Sequence, residues 1–177
     1  MVNNGDTGHT AGFIGPPLTP VFFFCGELGV SLITFYEVMP GTLDTSLESN
    51  LESVDKAEAL CVDAGKLLGL DEDACMDLGL AVREAMVNAV AHGNKYDAEK
   101  QVRLVLETRA DSLRITIVDQ GEGFDLNRVP DPTQGENLMR GSGRGLLLIQ
   151  TFVDEFTVKK TTAGGAEVTL VKYAISD

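Results

Sequence analysis

Two pairs of alternating segments restrict the fold more than any other feature of the chain. Residues 102–108 and 113–118 alternate apolar and polar side chains, with only Arg109, Ala110, Asp111 and Ser112 between them. Residues 155–159 and 166–173 alternate in the same way and turn at Ala163, Gly164 and Gly165. Period-two patterning marks half-buried strands. Connections this short join antiparallel neighbours, because parallel strands need a crossover of a dozen or more residues. Residues 42–47 alternate too and supply a short edge strand.

Between the edge strand and the first hairpin the period changes. Leu51, Val54, Ala57, Leu60, Cys61, Ala64, Leu67 and Leu68 recur at helical spacing, and Gly69 stops them. Asp71 is placed to cap a second helix, with Glu72 and Asp73 in the first turn where the dipole favours acids. This helix is expected to run to about His92 and to end at Gly93, with Leu80, Val82, Ala85, Met86, Ala89 and Val90 toward the core. The order is strand, two helices, hairpin, loop, helix, hairpin. It predicts an α+β fold: a two-layer sandwich whose sheet, mostly antiparallel but mixed, carries helices on one face.

Three polar or glycine-rich patterns sit on this frame. Glu84, Asn88 and His92 lie four residues apart, so they project from one face of the second helix. Alone, such a stripe is either a solvated face or a site. Asp119, Gly121 and Gly123 follow directly after a buried strand, where the backbone must turn tightly or approach something closely. Residues 126–143 show no period and contain Pro130, Pro132, Gly135 and Gly141, as a lid or a disordered loop would. Gly143, Arg144 and Gly145 then open a short apolar helix from Leu146, and amides at a helix N-terminus form a phosphate-sized site. Each pattern is common by itself; their order is the specific signal.

Composition bounds the ligand. The net charge of −13 argues against a nucleic-acid backbone as partner, since that contact draws on clustered Lys and Arg. An anion such as a nucleotide would need backbone amides, a metal ion and a few local cations. Cys25, Cys61 and Cys75 make no paired motif, and His9 and His92 are the only histidines, so a structural zinc site is not expected and a reduced, cytoplasmic setting is. Residues 1–40 form an N-terminal extension. Residues 1–20 are rich in Gly, Pro, Asn and Thr, and residues 21–39 are apolar but broken by Gly26, Glu27, Gly29 and Glu37. Three readings stand for this extension: a disordered tail or a start mis-assigned ahead of Met39, an extra packing strand, or a membrane anchor. Residues 41–177 form the regular domain.

With Glu84 and Asn88 on a helix, Asp119-x-Gly121-x-Gly123 after a strand, and Gly143-Arg144-Gly145 opening a helix, the chain resembles the ATP-binding fold shared by DNA gyrase, heat-shock chaperone ATPases, mismatch-repair ATPases and histidine kinases. Within that superfamily it looks most like the anti-sigma-factor serine kinases of bacterial partner-switching systems. The likeness runs from Thr42 to Tyr173 and is densest in residues 84–94 and 136–146.

The resemblance implies the histidine-kinase/gyrase-type two-layer fold, ATP and Mg²⁺ as cofactors, and a role for each motif. Asn88 would ligate Mg²⁺, and Glu84 would be the catalytic base. Asp119 would accept from the adenine amino group, with Gly121 and Gly123 against base and ribose. Gly143, Arg144 and Gly145 would meet the phosphates, with Arg140 as either a further phosphate contact or a solvated side chain. His92 is either a phosphate-side group or a helix C-terminal residue favoured by the dipole. The family often has Thr after the glycine that opens the last strand; here Ala166 stands there, and Thr169 faces the other side of the strand.

The implied function is a serine/threonine protein kinase that phosphorylates an antagonist protein and binds and inhibits a sigma factor or similar effector, with dimers common among its relatives. The alternative is a nucleotide-gated anti-sigma or partner-binding module, shaped by ATP or ADP, with little kinase activity. A histidine-kinase catalytic domain is disfavoured because no His-bearing dimerisation helix precedes the domain.

Overall fold

The computed structural model describes residues 41–123 and 144–174. The N-terminal extension, the predicted lid with Arg140, and Gly143 lie outside the described residues, as does the side chain of Arg144. In chain order the elements are β1 (Gly41–Glu48), α1 (Leu51–Leu68), α2 (Glu72–Val87), β2 (Gln101–Thr108), β3 (Ser112–Val118), α3 (Arg144–Phe152), β4 (Glu155–Thr161) and β5 (Gly164–Tyr173). Among these residues the sheet has five strands in the order β1-β2-β3-β5-β4.

Every pairing among the described residues is antiparallel, in keeping with the largely antiparallel α+β sheet expected from the hairpins. The reason is local: β2–β3 and β4–β5 are hairpins, and the long connection from β3 returns the chain to β5's far side rather than alongside β3. The helices cover one face. Leu104, Leu106, Ile115, Ile117 and Leu170 from the sheet meet Val54, Leu78, Val82 and Met86 from the helices in one core. The opposite face carries side chains such as Asp44, Arg103, Thr116 and Thr169, and Arg103 makes a bidentate pair with Asp44 across the β1–β2 register.

Helix starts follow the sequence. Asn50 caps α1 by accepting from the Ser53 amide at 2.9 Å, and Asp71 caps α2 by accepting from the Ala74 amide at 2.7 Å. Such caps contribute about 1 kcal/mol each. Gly69 ends α1 in the left-handed conformation, φ +91°.

The apolar stripes are narrower than expected. Leu51, Leu60, Leu67 and Leu80 are exposed, while Val54, Ala57, Cys61 and Leu68 are buried. Gly79 explains part of this: it lets α2 press onto Val62 and Glu58 of α1, leaving the next residue, Leu80, outside the contact. A second departure concerns the end of α2. The α-helix stops at Val87, and Asn88–Gly93 continues as a turn of π-helix.

Candidate nucleotide site

The π turn, the end of β3, the start of α3 and the start of β5 enclose one cavity of about 670 Å³. Its walls include Ala85, Ile117, Leu146, Ile149 and Val168, and its polar groups include Glu84, Asn88, His92, Lys95, Asp119 and Glu122. Of the sequence-predicted residues, Glu84, Asn88, Asp119 and Gly123 line it directly, as do His92 and Ala166. π turns frequently occur at functional sites. Here the turn carries Asn88 and His92 on the cavity wall and delivers Gly93 to Asp119.

Asp119 is the most tightly held of these groups. It is 8% exposed, and its Oδ1 accepts from the Gly121 amide at 2.8 Å and the Ala166 amide at 3.1 Å. Its own amide donates to the Ala166 carbonyl at 3.0 Å. Oδ2 has no partner among the described residues and is available as an acceptor. Ala166 therefore has a role its side chain does not disclose: its backbone binds Asp119 from both sides. Thr169 pairs with Thr116 and Thr157 and does not line the cavity, as expected from the alternation.

Close packing fixes the backbone around this carboxylate. A Cβ on Gly93 would stand 2.5 Å from the Asp119 carboxyl carbon, closer than real contacts allow. At Gly165, φ is +62° and a side chain would collide with the Asp119 carbonyl. Only glycine meets both demands at low cost. Gly164 and Gly165 open β5 rather than lying in the turn before it. Gly121 lies against the Gly93 carbonyl, and Gly123 against Gly165 and Lys160. Gly93 was legible only as a helix stop; its second task, seating Asp119, required the fold.

The other end is sparser. Asn88 Nδ2 donates to Glu84 Oε1 at 3.5 Å, a long and weak bond. That orientation leaves Asn88 Oδ1 without a partner among the described residues, free to act as a hard oxygen ligand. Gly145, at the start of α3, lies against the Glu84 carboxylate so closely that any side chain there would overlap it.

Among the described residues the lining charges are Glu84, Asp119 and Glu122 against Lys95, whose ammonium is 3.7 Å from Glu122 with both side chains exposed. Among the described residues no group of three His, Cys, Asp or Glu could hold a metal by itself. The Asn88 amide oxygen is a hard donor of the kind Mg²⁺ prefers, and such a cation usually draws its remaining ligands from water and substrate phosphates.

This fold and cavity define a nucleotide-binding module of the two-layer α+β type. The chain belongs to the histidine kinase-like ATPase domain family, whose model matches residues 47–172. It is 36% identical over 112 residues to the serine-protein kinase RsbW of Staphylococcus epidermidis, covering 59% of this chain and 69% of that one. It is 30% identical to RsbW of Bacillus subtilis over 112 residues, 60% of this chain and 69% of the relative. RsbW of Oceanobacillus iheyensis is 26% identical over 137 residues, 74% and 85% of the two chains. The solved structure of the RsbU and RsbW domains of Rv1364c from Mycobacterium tuberculosis shares the fold, with a TM-score of 0.54 at 19% identity. The match covers 76% of this chain and 33% of that longer one.

Proposed function

We propose that this chain is an ATP- and Mg²⁺-dependent serine-protein kinase, acting on a small antagonist protein and restraining a sigma factor or similar effector. The observation that carries this reading is one cavity with a single buried carboxylate at one end and a carboxylate–amide pair at the other. The similarity to serine-protein kinases RsbW supports it.

Asp119 Oδ2 would accept from the adenine 6-amino group, because its partner oxygen is already saturated by backbone amides. Guanine carries an oxygen at that position and would meet the carboxylate with two acceptors facing. Asn88 would hold Mg²⁺, which supplies charge neutralisation on the phosphates when bound. Gly143, the amide of Gly145 and Arg144 would complete the phosphate end. Glu84 would take the proton of the substrate serine hydroxyl as that oxygen bonds to the γ-phosphorus and the bond to ADP breaks. Because Glu84 and Asn88 are one turn apart on a packed helix, base and metal ligand approach the same phosphate from a fixed direction.

The free, buried thiols of Cys61 and Cys75 fit a reducing, cytoplasmic setting. No helix among the described residues is long and apolar enough to cross a membrane. A homodimer completes the proposal, and the net charge of −13 disfavours nucleic acid as a partner.

The test is partner capture with and without Mg-ATP, then phosphosite mapping on the captured protein. Transfer of label from ATP to a serine of that protein is expected. ATP binding without any transfer would leave a nucleotide-gated binding module and remove the kinase. A Glu84→Ala variant that retains full partner regulation would favour the same module.

A further inference from the structure

A buried amide side chain is costly unless its polar atoms find partners. Asn94, directly after the π turn, is completely buried and forms three hydrogen bonds. Its Nδ2 donates to Ser49 Oγ at 2.8 Å and to the Gln101 carbonyl at 3.0 Å. Its Oδ1 accepts from the Gln120 amide at 2.7 Å. The Ser49 hydroxyl donates onward to the Lys100 carbonyl at 2.8 Å, and the Gln120 side chain accepts from the Gln101 amide at 2.7 Å. One side chain thus joins the β1–α1 connection, the start of β2 and the residue next to Asp119.

The backbone is also constrained here. Lys95 and Tyr96 both adopt left-handed conformations, φ +59° and +58°, which residues with a Cβ rarely take. Consecutive residues in that region persist only where the surroundings over-determine the turn. The Asn94 network is such a surrounding. From the β5 side, Asp119 is held by Ala166; from the π-turn side, the 119–121 turn is pinned by the bond from Gln120 to Asn94 and by the close seat on Gly93.

We infer that Asn94 is a positioning residue for purine recognition, fixing the Asp119 carboxylate relative to the helix that bears Glu84 and Asn88. The inference rests on the reading of Asp119 as the adenine acceptor. It assigns to Asn94 an effect on base discrimination rather than on general phosphate affinity, because the side-chain bond that reaches the cavity's surroundings goes to the Gln120 amide, next to Asp119, and none goes to Glu84 or Asn88 among the described residues.

The experiment compares binding of Mg-ATP with Mg-purine riboside triphosphate, which lacks only the 6-amino group, by isothermal titration calorimetry on the full chain. The wild-type chain should prefer ATP by about ten-fold or more, the scale of a hydrogen bond to a charged acceptor. Asn94→Ala should lower that preference to about two-fold or less and leave affinity for the purine analogue within about three-fold, on the same scale. A lower melting temperature with the wild-type preference intact would overturn the inference.

Ser49→Ala removes only the outer support and should reduce the preference by a smaller factor. An unchanged ratio there overturns the inference even if Asn94→Ala fails to fold. Asp119→Asn separates the two layers of reasoning. Loss of preference in Asp119→Asn alone sinks the role of Asn94, whereas no loss in Asp119→Asn sinks the reading of Asp119 as well.

Discussion

The two ends of the cavity are built on opposite principles. At the Asp119 end the acceptor is buried, one oxygen takes two backbone amides, and neighbouring glycines allow backbone to press against it. At the Glu84 end, among the described residues, Glu84 and Asn88 share one 3.5 Å bond, and the backbone of α3 approaches the Glu84 carboxylate at Gly145. The difference fits the roles proposed for the two ends. Base recognition profits from a group that is already fixed, since any motion of the acceptor weakens discrimination. At the proposed phosphate end the helix fixes the direction from which Glu84 and Asn88 approach, and their strong polar contacts form only when metal and phosphates arrive.

The sharpest way to separate the ends is to remove Glu84, the proposed base. Glu84→Ala should lower phosphoryl transfer by roughly 10²- to 10⁴-fold, the range of general-base catalysis. Mg-ATP affinity should change little. Steady-state transfer and calorimetry measure the two effects independently, and a large loss of affinity would mean that Glu84 holds the nucleotide rather than acting only on the attacking hydroxyl.

Next comes Gly165→Ala, which forces a side chain into a left-handed position against the Asp119 carbonyl. A loss of about 1–3 kcal/mol of stability is expected in chemical denaturation. A neutral result would show that the Asp119 end is less rigid than its bonds suggest. Saturating nucleotide tests both ends together. Mg-ATP at about a hundred times its dissociation constant should stabilise the fold by about 2.7 kcal/mol, read as a rise in melting temperature. ATP without the metal should stabilise less if the Glu84 end relies on Mg²⁺.

Regions away from the cavity give small effects that serve as controls. Burial pushes the Cys61 thiol well above its ordinary value, so it should resist alkylation in the native chain and react on unfolding, as followed by peptide mapping. The exposed Asp44 carboxyl is held below its ordinary value, first by its hydrogen bond with Arg103 and then by the guanidinium charge. In the folded chain it therefore gives up its proton at lower pH than in the unfolded chain. Its contribution is complete above about pH 4 and is lost as pH falls through the lowered value. Arg103→Ala should flatten that part of the acid-unfolding curve slightly and leave nucleotide binding unchanged.

Much of this was legible in the chain. The two hairpins, the edge strand and the caps at Asp71 and Gly69 follow from local spacing, because turn length and capping are short-range chemistry. Glu84, Asn88 and Asp119 could be singled out because three patterns occurred in order. What escaped was set by tertiary contact. Nothing in the composition of residues 88–93 distinguishes a π turn from an α turn; the seat of Gly93 and Asn94 against residues 119–121 accompanies it. Periodicity marked Leu60, Leu67 and Leu80 as apolar positions, but how much of a stripe is covered depends on how closely the helices approach. Asn94 carried no signal of its own in the spacing, since its partners come from three distant segments.

The pairing of β1 with β2 carries a consequence in time rather than in space. β1 is synthesised first, yet its partner comes only after both α1 and α2. The helical pair and the β2–β3 hairpin can form from near neighbours, whereas β1 must close a loop containing two whole helices, the kind of contact that slows folding. Ser49 and Gln101 meet Asn94 at the far end of that same strand pair. The cluster beside Asp119 therefore closes only when β1 docks, and a chain caught before that step would hold both helices without the Ser49 and Gln101 contacts that seat Asn94.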